Sequence, residues 1–100
     1  IFQLFEEASI SLRKRMLFEI LNAYTDKEVL RRVVRKMVSL YEHPRFNFLN
    51  GTEDEFAFVQ RLIPLKGDTE TIGFLLRTFE RTESDLLRLF CQSILSVLKN

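Results

Sequence analysis

The sequence predicts an all-α chain of about five helices, arranged as a compact bundle or as a short stack of helical hairpins. Three observations carry that expectation. Apolar residues recur at three-and-four spacing along much of the 100-residue chain. Three glycines and two prolines favour long regular elements over many turns. No segment sustains the polar–apolar alternation of a half-buried strand.

The first helix is expected over about Phe2–Tyr24, with a break near Ser9–Ser11. From Ile10 onward, Met16, Leu17, Ile20, Leu21 and Tyr24 fall on one face, and Ser11, Arg15, Glu19 and Asn22 on the other. Thr25-Asp26-Lys27-Glu28 reads as a capping box, in which Thr25 and Glu28 satisfy backbone N–H groups at a helix start. The second helix follows to about Glu42, and His43-Pro44 stops it, because proline disfavours helical geometry in the residue before it. Arg45 to Gly51 is a connection closed by the turn dipeptide Asn50-Gly51.

A second capping box, Thr52-Glu53-Asp54-Glu55, opens a short third helix carrying Phe56, Val59, Leu62 and Ile63, ended by Pro64 and Gly67. Asp68 or Thr69 caps a fourth helix with Ile72, Leu75, Leu76 and Phe79. Thr82-Glu83-Ser84-Asp85 resembles a further capping box and opens a fifth helix to about Lys99. Helices two with three, and four with five, are hairpins of the size stacked in HEAT or armadillo repeats. No position-by-position match accompanies that spacing, so a HEAT/armadillo-like fragment and a closed bundle both stand.

A chain of this length is one domain and buries roughly two-thirds of its unfolded surface. Hydrophobic content of 46% with 29% charged residues argues against disorder, and ten phenylalanines without tryptophan predict a bulky core. Ile1 in the place of methionine, and no basic-then-apolar leader, predict a single helical domain over residues 1–100 within a longer protein. The lone Cys91 excludes an internal disulfide and a cysteine-based zinc cluster within one chain, which fits an intracellular protein, cytoplasmic or nuclear. Apolar runs of about five residues are too short to span a membrane.

Catalytic and metal-binding readings find little to work with. His43 is the only histidine and adjoins a helix-ending proline, with no partner at a telling spacing. Cys91 sits among Leu87, Phe90, Ile94 and Leu95, where burial opposes the thiolate. Glu53-Asp54-Glu55 complements a helix dipole. No phosphate-binding glycine loop, nucleophile elbow or paired histidine motif is present. The expectation is no enzyme, no cofactor, no metal and no small-molecule substrate.

Surfaces are more telling. Residues 1–46 carry a net +3 and residues 47–100 a net −2, within an overall +1. Arg31, Arg32, Arg35 and Lys36 project from the second helix opposite its apolar half, and Arg13, Lys14 and Arg15 form a second cluster on the first. Phe46, Phe48 and Leu49 put three large apolar groups into a short connection, as a core plug or a partner anchor. The fifth helix is apolar over roughly 240° of its circumference, more than a solvated helix presents. Its Leu89, Leu95 and Leu98, with Phe46, Phe48 and Leu49, are the candidate apolar docking residues. These features predict a non-enzymatic helical scaffold module that docks another protein or another copy of itself. The alternative is a nucleic-acid-binding domain using Arg13, Lys14, Arg15, Arg31, Arg32, Arg35 and Lys36.

Overall fold

A computed structural model of the chain describes residues 10–42 and 57–99. Helix α1 spans Ile10–Ala23 and buries Leu17, Ile20 and Leu21, one face at helical spacing. Helix α2, Lys27–Tyr41, buries Leu30, Val33, Val34, Met37, Val38, Leu40 and Tyr41. Its N-cap is Asp26 rather than the expected Thr25: the Asp26 carboxylate accepts from the N–H of Glu28 at 2.8 Å and of Val29 at 3.2 Å. A carboxylate in that position satisfies two orphan donors and adds negative charge at the positive end of the helix.

Helix α3 is seen over residues 57–60 and buries Phe58 and Val59. It closes into a 3-10 turn, Ile63–Leu65, with Pro64 as the second residue. Proline is accommodated there because the first turn of a helix leaves its N–H groups unbonded anyway. Pro64 therefore shapes the turn that follows α3, where the sequence suggested only a stop. Gly67 has φ of +79°, the one left-handed residue among those described. Its N–H donates to the Leu98 carbonyl at 2.8 Å. That bond uses a carbonyl from the last turn of the final helix, which has no partner within its own helix.

Helix α4, Thr69–Arg81, and helix α5, Asp85–Leu98, form an antiparallel hairpin through Thr82–Ser84. Ser84 caps α5, accepting from the Leu87 N–H at 3.2 Å, while the Thr82 hydroxyl accepts from the Ser84 N–H at 3.1 Å. The expected box is thus shifted by two residues: Thr82 ends α4 and Ser84 starts α5. The two main pairings are α1 with α2 and α4 with α5, with α2 also against α5 and the 3-10 turn. Helix α2 thus packs mainly on α1, and it also touches the 3-10 turn that follows α3.

The chain is an all-α small bundle, with no strand among the described residues. Its radius of gyration is 12.6 Å, against roughly 13 Å for a compact 100-residue domain. Four rings cross the core: Phe18 of α1 meets Phe58 edge-on at 5.8 Å, Phe58 meets Phe90 at 5.6 Å, and Phe90 stacks on Tyr41 at 4.3 Å. Aromatic pairs at these separations join α1, α3, α5 and α2 into one cluster. No helix among the described residues is long and apolar enough to cross a membrane.

Gly67→Ala isolates the backbone cost of this turn, since an added Cβ meets nothing within 4 Å. The left-handed conformation alone should destabilise the domain by about 1 kcal/mol, read as a lower urea midpoint.

Candidate docking site

Charge pairing decides which surface residues are available to a partner. Arg31 lays its guanidinium on Asp68 across the α2–α4 interface, Nη2 to Oδ1 at 2.7 Å and Nε to Oδ2 at 3.1 Å. Two parallel bonds of this type are the strong, geometrically specific form of an ion pair. The same carboxylate caps α4, accepting from the Thr71 N–H at 3.1 Å and the Thr71 hydroxyl at 2.6 Å. Arg31 also reaches Glu28 at 3.2 Å and Glu70 at 3.4 Å. The Arg31 guanidinium holds the Asp68 carboxyl well below the usual carboxylate range; burial opposes the shift, and the Thr71 donors reinforce it. Arg31 is shifted upward in turn, first by its hydrogen bond to Asp68.

The rest of the α2 basic stripe is partly engaged as well. Arg35 bonds Glu70 at 3.1 Å and lies over the Phe74 ring at 5.4 Å. Arg32 stands 4.0 Å from Glu28. Arg32, Arg35, Lys36 and Ser39 line a concavity of about 460 Å³. On α1, Arg15 is exposed and 3.6 Å from Glu19, while Arg13 and Lys14 are half-buried. Three of the five cations of α2, Arg31, Arg32 and Arg35, thus stand beside the carboxylates Glu28, Asp68 and Glu70, so the stripe presents less net charge than its sequence suggests.

The apolar surface lies on the other flank of α4 and along α5. Leu76 and Phe79 of α4 face Gln92, Leu95, Ser96 and Lys99 of α5 across a groove of about 270 Å³. Leu89 extends its edge, being three residues before Gln92 and seven before Ser96 on the same helix. Leu89 is 55% exposed, Leu86 43%, Leu76 39% and Phe79 36%, the largest apolar exposures on this hairpin. Among the expected docking residues, Leu89 stands on this surface and Leu95 lines its floor at 9% exposure. Leu98 is fully buried in the chain's own core. The wide apolar arc of α5 therefore divides: Leu87, Phe90, Cys91, Ile94, Leu95 and Leu98 are buried, and Leu86 and Leu89 remain outside. Leu76 and Phe79 carried no docking expectation, because spacing on α4 alone could not say which side α5 would cover.

Phe46, Phe48, Leu49, His43 and Glu53-Asp54-Glu55 lie outside the described residues. Among those described, no group of three His, Cys, Asp or Glu side chains is placed to hold a metal ion. Cys91 is buried, and desolvation pushes its thiol up to about 11. No known protein family, curated protein or solved structure matches the chain.

Three expected outcomes follow from these environments. Asp68 is more acidic folded than unfolded, so its contribution is full above the ordinary aspartate value of about 3.9 and is lost as pH falls below it. Asp68→Asn should therefore flatten the loss of stability between about pH 5 and about pH 2, and Asp68→Ala should cost about 2 kcal/mol at neutral pH, both by urea unfolding. Cys91 should resist a thiol-reactive chromogen in the native domain at about pH 8 and react within the mixing time once unfolded, followed by absorbance.

Proposed function

We propose that this chain is a non-enzymatic interaction module that docks a protein partner on the outer face of the α4–α5 hairpin. The observation that carries this reading is the groove lined by Leu76, Phe79 and Leu95, with the exposed Leu89 one turn along α5 from Gln92. Large apolar side chains clustered on an otherwise charged surface cost solubility, and covering them returns apolar area to a dry environment at roughly 25 cal/mol per Å². The groove is bordered by Gln92, Ser96 and Lys99, which gives an apolar centre and a polar margin, the usual anatomy of a protein interface. A partner of matching chemistry presents Leu, Ile or Phe at helical spacing and an acidic group opposite Lys99.

The basic stripe of α2 supports a nucleic-acid reading less well. Arg31 and Arg35 are already bonded to Asp68 and Glu70, so the stripe offers few charges for phosphate neutralisation.

Selection of amphipathic helical peptides against the immobilised domain tests the docking reading. The peptides recovered should lose at least about tenfold in affinity for Leu89→Asp or Phe79→Asp, and bind Arg32→Ala normally. Selected peptides that ignore both α4–α5 substitutions would contradict the assignment.

A further inference from the structure

We propose that the partner on this face is a second copy of the chain, paired antiparallel about a two-fold axis over the α4–α5 hairpin. The inference rests on the docking reading above and adds the identity of the occupant. Its warrant is the way internal ion pairs leave opposite charge at the two ends of the apolar stripe.

At the turn end of the hairpin, two cations are consumed within the chain. Arg81 reaches Glu42 and Arg88 reaches Asp85, each at 3.5 Å. Glu80 and Glu83, both exposed, remain there against one exposed cation, Arg77, whose guanidinium lies back toward Gly73, so the turn end keeps an acidic excess. At the open end the acids are the ones consumed, since Asp68 and Glu70 are bonded to Arg31 and Arg35 of α2. Lys66 and Lys99, both exposed, remain there as the basic excess. The bond from the Gly67 N–H to the Leu98 carbonyl fixes these two lysines at one end of the hairpin. Between the ends run Leu76, Phe79 and Leu89.

An apolar stripe with acid at one end and base at the other is self-complementary under an antiparallel two-fold. Each copy's Glu80 and Glu83 meet the other's Lys99 and Lys66, and the two grooves exchange their Leu and Phe side chains. A two-fold interface requires this reciprocity, with one patch serving both copies. A parallel pairing would set like charges together at both ends and is disfavoured.

Size sets the expected strength. Two helices of about 20 Å placed about 9 Å apart present a face of roughly 400 Å², half the roughly 800 Å² per partner of a standard stable interface. A weak dimer follows, with a dissociation constant of about 10 to 100 µM.

Sedimentation equilibrium of the purified chain from about 10 µM to about 500 µM tests the proposal. Wild type should pass from monomer to dimer over that range, and Phe79→Asp should stay monomeric with an unchanged circular dichroism spectrum. Glu80→Lys and Lys99→Glu should each weaken the dimer about threefold or more, and the two together should restore it. Both positions are exposed, so the folded monomer tolerates either change. A wild-type chain that is monomeric at about 500 µM overturns self-pairing, while peptide binding to the same face would still uphold the docking reading. A dimer in which the double reversal is no tighter than the single ones overturns the antiparallel register.

Discussion

Asp68 does two things with one carboxylate, and the placement of the C-terminal hairpin depends on them together with the residue's position beside Gly67. It caps α4 through Thr71, it receives the two-pronged grip of Arg31 from α2, and it sits one residue after the left-handed Gly67 that bonds to the end of α5. A surface ion pair is worth little, since solvent screens it and long side chains lose freedom on pairing. This one differs because the Asp68 side chain is only 9% exposed and its oxygens are saturated by four donors. Its value is orientational as much as energetic. It fixes which flank of α4 turns toward α2, and so which flank turns outward.

That choice sorts the surface. The flank toward α2 collects Glu70, Arg35 and Phe74, where charge and ring are satisfied inside the chain. The opposite flank carries Leu76 and Phe79 beside the exposed edge of α5. The bulk of stability comes from elsewhere, from the aromatic chain of Phe18, Phe58, Phe90 and Tyr41 and the aliphatic layer around it. Core packing makes the bundle fold, and the polar clasp decides what it exposes.

The fold was legible in the sequence because its helices obey local rules. The apolar half of α2 is visible as Leu30, Val33, Val34, Met37 and Val38, and each is buried. Caps were legible to within two residues, since Thr, Ser and Asp cluster at every start and only geometry selects among them: Asp26 over Thr25, and Ser84 over Thr82. The surface was much less legible. Arg31 looks like any exposed cation on a helical wheel, because its partner lies 37 residues away. Leu98 looks as available as Leu89, because a wheel shows how wide an apolar arc is but not which neighbours cover it. The α4–α5 groove belongs to two helices at once, so neither helix announces it alone.

We propose that the exposed leucines of the hairpin, and not the cations of α2, are the surface through which this chain meets other molecules. Methyl-resolved NMR with labelled leucine, recorded over a dilution series, addresses it most directly. The methyls of Leu76, Leu86 and Leu89 should shift with concentration, while those of Leu17, Leu30 and Leu40 in the core stay fixed. Shifts confined to backbone amides around Arg32, Arg35 and Lys36, with silent hairpin methyls, would place the contact surface on α2 instead.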